Sequence, residues 1–145
     1  MRNFLVCKTT SLCYIRVKLS NPYMKLVTGV DLIEIERVQA AIDRHGQRFL
    51  QRVFTPSELA EVGLHPASLA ARFAAKEAVS KALGCGIGQV AWREIEILRG
   101  PSREPVLHLY GAGKDLSARL GIHTWSISLS HTHEHAIAMV VGFGD

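Results

Sequence analysis

Two carboxylates on separate segments, Asp31 and Glu77, are the pair in this chain best suited to shared chemistry. Asp31 stands between Val30 and Leu32 in a run of strand formers, where an Asp is disfavoured and needs a reason. It reads either as a solvent-facing residue on an edge strand or as a ligand for a hard cation. Glu77 falls on a helical arc with Leu69, Ala70, Phe73, Ala74 and Lys81 when successive residues are placed about 100° apart. That arc is apolar enough to be covered, and an unpaired charge is very costly to desolvate. One reading of Glu77 is therefore a structural ion pair with Lys81 at i,i+4. The other joins it to Asp31 around Mg²⁺, which favours a few carboxylates, waters and phosphate oxygens. Arg72, Lys76, Lys81 and His131 would then offer positive charge or donors to a phosphorylated ligand.

Other constellations carry less. Gly84-Cys85-Gly86-Ile87-Gly88 lacks dinucleotide-loop spacing and follows a helix, and no Gly-Lys-Ser/Thr follows to make a phosphate-binding P-loop. It remains a glycine turn whose backbone N–H groups could meet an anion. His131, His133 and His135 alternate and would share one face of an extended strand, but no second cluster with zinc-ligand spacing accompanies them. Ser128 and Ser130 lie in strand-like sequence without a nucleophile elbow.

The elements that must position these residues follow from period and punctuation. Leu26–Ile35 reads as a strand, with Gly29 marking a bulge or a close backbone approach. From Glu36 the period turns helical, with a weak point at Gly46. Thr55-Pro56-Ser57-Glu58 has the form of a capped helix start, with Thr55 as N-cap and Glu58 completing a capping box. A long helix runs from Pro66 to about Leu83, and its stripe of Ala71, Ala75, Ala78 and Ala82 would let a neighbour approach closely. Strands over Val90–Leu98 and Val106–Tyr110, a helix over Lys114–Leu120, and strands over Thr124–Ser130 and His135–Val141 complete the order β-α-α-α-β-β-α-β-β. This predicts an α+β domain with a largely antiparallel sheet against the long helix.

Composition narrows the function. The chain has 145 residues, 48% of them hydrophobic, and a formal charge of +4. That excess is local: Arg2, Lys8, Arg16, Lys18 and Lys25 precede the first acid, Asp31, and from Leu26 onward 12 basic residues face 13 acidic ones. The distribution argues against a nucleic-acid footprint. No apolar run is long enough to span a bilayer. Cys7, Cys13 and Cys85 form no disulfide framework, which suits a reducing cytoplasm. Residues 1–23 read as an upstream extension, dispensable to a domain over 24–145 whose natural start is Met24.

Three segments together resemble a known family. Gly29-x-Asp31-Leu32-x-x-Ile35-x-Arg37, Arg72-Phe-Ala-Ala-Lys76-Glu77-Ala-x-x-Lys81-Ala-x-Gly84-x-Gly86, and Ser128-x-Ser130-His131-Thr132-x-x-x-Ala136-x-Ala138 closely resemble holo-acyl carrier protein synthase, the small bacterial 4′-phosphopantetheinyl transferase. The resemblance implies that family's fold, a homotrimer with active sites at subunit interfaces, and Mg²⁺ held by Asp31 and Glu77. It implies transfer of the phosphopantetheine arm of coenzyme A to a serine of apo-acyl carrier protein in fatty acid biosynthesis, releasing adenosine 3′,5′-bisphosphate. By position, Lys81 would contact the pyrophosphate or assist at the reacting phosphate, and Arg72, Lys76, Gly84, Gly86, His131 and Thr132 would help hold the nucleotide and its phosphates. Arg37, Arg44, Arg48 and Arg52 would meet the acidic carrier helix. The group that takes the serine proton is left open among Glu77, His131 and a metal-bound water. The alternatives are the same transfer to polyketide or peptide synthetase carriers, and a noncatalytic coenzyme A or carrier-binding module. The presence of both carboxylates and Lys81 disfavours the module.

Overall fold

The computed structural model describes residues 24–145; the expectation for residues 1–23 lies outside the described residues. Strand β1 (Lys25–Glu34) opens the fold, and four helices follow: α1 (Ile35–His45), α2 (Gln47–Val53), α3 (Pro56–Val62) and α4 (Pro66–Ala82). After a 3₁₀ turn at Trp92–Glu94 come β2 (Ile95–Arg99), β3 (Pro105–Leu109), α5 (Gly111–Leu120), β4 (Thr124–His131) and β5 (His135–Gly144). The architecture is α+β, as the sequence predicts. All strand pairing in the sheets is antiparallel, but it divides into a three-stranded sheet ordered β1-β5-β4 and a separate hairpin β2-β3.

Two expectations change in detail. The helical stretch after Glu36 breaks at Gly46, whose φ of 52° closes α1 through its N–H to the Ile42 carbonyl and starts α2 in a new direction. Arg37 and Arg44 therefore lie on α1, and Arg48 and Arg52 on α2. The strand expected from Val90 begins only at Ile95, because Glu94 folds back to accept from the Ala91 N–H and forms the 3₁₀ turn.

Helix α4 is the centre of the molecule. It is buried on nearly every side, with Leu69, Ala70, Ala74, Ala75, Ala78, Val79 and Ala82 all at 0% exposure. Its methyl-only stripe does what small side chains allow: β1 lies so close that a Cβ on Gly29 would collide with the Ala78 carbonyl oxygen. On the other side Ile95 and Ile97 of β2 are buried against it, each large aliphatic group contributing about 1.5–3 kcal/mol. The helix ends in a Schellman arrangement. Gly84, at φ 71°, donates to the Lys81 carbonyl and Cys85 donates to the Ser80 carbonyl.

The contact at Gly29 predicts a stability effect. Gly29→Ala should cost about 3 kcal/mol or more, since the clash is with backbone and cannot be relieved by a rotamer change. Urea unfolding measures this, and a midpoint within error of the parent protein would contradict the close approach.

Candidate active site

Alternation along β1 turns Gly29, Asp31 and Ile33 toward α4, while Val30 and Leu32 face away. The Gly29–Ala78 approach therefore delivers Asp31 to the C-terminal half of α4. There the Lys81 ammonium lies 2.7 Å from Asp31 Oδ1 and donates to the Val30 carbonyl at 3.2 Å. Both side chains are mostly covered, at 18% and 16% exposure. Lys81 thus takes its close partner from another element, and the local Glu77–Lys81 pair considered from sequence is not the contact formed.

Glu77 sits one turn earlier, partly buried, with no ion-pair partner of its own within contact distance among the described residues. Burial pushes its carboxyl above the usual value of 4.5, the Asp31 carboxylate pushes it further, and Lys81 pulls it back. Asp31 and Glu77 are therefore electrostatic neighbours with one ammonium between two carboxylates. Such a pair has donor capacity left for a cation, and oxygen ligands of this kind suit Mg²⁺ completed by water and phosphate oxygens. No group of three or more His, Cys, Asp or Glu residues gathers in the manner of an all-protein metal cage among the described residues. The alternating histidines do not share a strand face, because Thr132–Glu134 form the β4–β5 turn between His131 and His135.

Two sequence candidates are placed elsewhere. Lys76 is fully buried and paired with Glu58 at 2.8 Å; it also donates to the carbonyls of Trp92, at 3.0 Å, and Ile95. Burial pulls its pKa down while Glu58 opposes the shift. Arg72 binds Glu61 at 2.9 Å and the Ile97 carbonyl at 3.1 Å. Both cations point to β2, not to the Asp31–Glu77 cluster, because the burial of that helix face leaves them only backbone and carboxylate partners. Their partners within the chain are Glu58, Glu61 and backbone carbonyls of Trp92, Ile95 and Ile97. Gly84 commits its N–H to the helix cap, and Gly86 is left exposed in the following turn.

His131 and Thr132 stand at the other end of α4. With Ile35, His65, Pro66, Ala67 and His133 they line a cleft of about 590 Å³. Some 15 Å of helix axis separates Ala67 from Glu77 at 1.5 Å per residue. One chain therefore does not bring His131 to the carboxylates. His65, which accepts from the Ser68 N–H as N-cap of α4, and Glu58 were not legible as site neighbours. For Glu58 the capping box was visible, but its bond to a lysine 18 positions later was not. Arg37, Arg44, Arg48 and Arg52 are all exposed on α1 and α2.

Residues 28–140 match the 4′-phosphopantetheinyl transferase superfamily, and the chain belongs to it. Within that superfamily the similarity runs to proteins named holo-[acyl-carrier-protein] synthase. The Herpetosiphon aurantiacus protein is 52% identical over 126 residues, covering 82% of this chain and 99% of its own. The Dehalococcoides mccartyi protein is 53% identical over 116 residues, covering 80% and 97%. Among solved structures, the Helicobacter pylori holo-[acyl-carrier-protein] synthase in complex with coenzyme A superposes with a TM-score of 0.73 at 35% identity, over 79% of this chain and 98% of that one. The Neisseria meningitidis holo-[acyl-carrier-protein] synthase gives 0.74 at 34% identity, over 80% and 96%.

The environment of Glu77 predicts a pH-dependent stability change. A carboxyl whose folded pKa is raised contributes fully below its unfolded value near 4.5 and loses that contribution as pH rises through the folded value. With divalent ions chelated, Glu77→Gln should therefore melt higher than the parent at neutral pH, and the gain should vanish below about pH 4. An unchanged or lower melting temperature at neutral pH would contradict the placement of this carboxylate.

Proposed function

We propose that this protein transfers the 4′-phosphopantetheine arm of coenzyme A to a serine hydroxyl of apo-acyl carrier protein. The products are holo-acyl carrier protein and adenosine 3′,5′-bisphosphate, and the setting is cytoplasmic fatty acid biosynthesis. The observation that carries the reading is the meeting of Asp31, Glu77 and Lys81 where β1 crosses α4. Membership of the superfamily and the coenzyme A complex of the Helicobacter pylori protein support it.

The reaction forms a bond from the serine oxygen to the β-phosphorus and breaks the bond from that phosphorus to the bridging oxygen, which leaves on the adenosine bisphosphate. Such a step depends chiefly on positioning and charge neutralisation. Asp31 and Glu77 would hold Mg²⁺, which supplies charge to the pyrophosphate and orients its oxygens. Lys81, held beside Asp31, would exchange that carboxylate for a phosphate oxygen and balance the charge on the leaving group. The serine proton would pass to Glu77, His131 or a metal-bound water.

A homotrimer with sites between subunits accounts for two features. The outer face of the β1-β5-β4 sheet exposes Val30, Leu32, Ile137, Met139 and Phe143, an apolar surface suited to burial against another copy. Assembly would also let His131 and Thr132 of one copy approach the carboxylates of another, so that the two ends of α4 serve one nucleotide. Arg37, Arg44, Arg48 and Arg52 offer a positive surface for the acidic carrier helix.

Incubation with coenzyme A, Mg²⁺ and apo-acyl carrier protein tests the reading directly by mass spectrometry. The carrier should gain one phosphopantetheine arm, and Asp31→Asn should slow the gain by about a hundredfold or more while remaining folded. No gain on this carrier, with gain on polyketide or peptide synthetase carriers, would move the substrate. No gain on any carrier would leave only a binding module.

A further inference from the structure

One edge of β2 pairs with β3; the groups on its other edge are met by side chains. The Ile95 carbonyl accepts from Lys76, the Ile97 N–H donates to Glu58 Oε1 at 2.9 Å, and the Ile97 carbonyl accepts from Arg72 Nε at 3.1 Å. The Arg99 N–H donates to Glu61 at 3.1 and 3.2 Å. Ion pairs Lys76–Glu58 and Arg72–Glu61 tie these rungs to one another. The spacing explains the match. Arg72 and Lys76 are four residues apart, about 6 Å along a helix, while Ile95 and Ile97 are two apart, roughly 6.6 Å along a strand. A helix shifted by one residue against β2 would move both donors about 1.5 Å along the strand from their carbonyls.

This ladder adds a polar constraint to the apolar packing of α4. The methyl stripe of Ala71, Ala75, Ala78 and Ala82 by itself has little shape to resist rotation about the helix axis. At an outer radius of about 5–6 Å, a rotation of 20° sweeps a side-chain tip by roughly 2 Å. Lys76 and Glu77 are adjacent, about 100° apart around the helix, and Lys81 lies about 140° from Lys76. Holding Arg72 and Lys76 to β2 therefore sets the direction in which Glu77 and Lys81 project toward Asp31.

We propose that Glu58, Glu61, Arg72 and Lys76 are positioning residues that fix the rotation and register of α4 and thereby aim Glu77 and Lys81 at the Asp31 carboxylate. The inference rests on the reading of Asp31 and Glu77 as the divalent-metal pair. It assigns a physical role to the Arg72 and Lys76 of the central motif that involves no contact with substrate.

The test is Mn²⁺ binding followed by electron paramagnetic resonance, with coenzyme A present, in variants shown to be folded by circular dichroism. Arg72→Met removes one rung and leaves a half-exposed Glu61 that water can reach; Glu58→Gln is a second variant of nearly the same shape. Each should weaken Mn²⁺ binding by about tenfold or more, the scale of losing groups that orient metal ligands. Arg72→Lys should return it toward the parent value. A purely structural role would lower the melting temperature and leave the affinity of the folded protein unchanged. Folded variants that bind Mn²⁺ like the parent would overturn the proposal, as would loss of folding in both. Absence of Mn²⁺ binding by the parent itself would instead overturn the metal reading beneath it.

Discussion

The close approach of β1 to α4 at Gly29 and Ala78 is the constraint on which the site depends. Any side chain at position 29 would push the strand outward, and the displacement would pass directly to Asp31 two residues along the same face. The alanines of α4 make the approach available, and the Lys81–Asp31 bond completes it. Core and chemistry are thus the same contact: the methyl stripe that packs the helix also sets the distance between two carboxylates and an ammonium.

The charges sort themselves by what each face can satisfy. On the β2 side, Arg72 and Lys76 are buried among backbone carbonyls and acidic side chains of α3, and among the described residues no buried side-chain nitrogen or oxygen lacks a partner. A buried ion pair of this kind is weak evidence for net stability, yet breaking one partner typically costs about 3–5 kcal/mol. On the β1 side, two carboxylates share one lysine, and Lys81 opposes the desolvation of Glu77 without cancelling it. The contrast separates structural polarity from functional polarity on one helix. The satisfied face holds the helix, and the other face is where the proposed ligand would bind.

Much of this was legible in the sequence. The period changes, the Thr55–Glu58 capping box and the glycine turn after Leu83 convey the element order and class, and Gly29 marks the close approach. The pairing of Asp31 with the helix of Glu77 and Lys81 rested on charge in unlikely places. What the sequence did not convey depends on contacts between distant segments. Lys76 and Glu77 are neighbours with similar exposure to a motif reader, and only the fold shows that one turns to β2 and the other toward β1. The split at Gly46 was visible as a weak point, but its φ of 52° decides that the arginines belong to two helices. The distance between His131 and the carboxylates needed the length and direction of α4.

In the proposed reaction Asp31 and Glu77 would hold a divalent ion against the pyrophosphate of coenzyme A while Arg72 and Lys76 stay with β2. The most direct measurement is the anomalous scattering of Mn²⁺ in crystals grown with coenzyme A. The account predicts one peak about 2 Å from a carboxylate oxygen of each of Asp31 and Glu77, with the nucleotide reaching His131 of a second copy. A metal peak away from either carboxylate, or a pyrophosphate bound to Lys76, would contradict it.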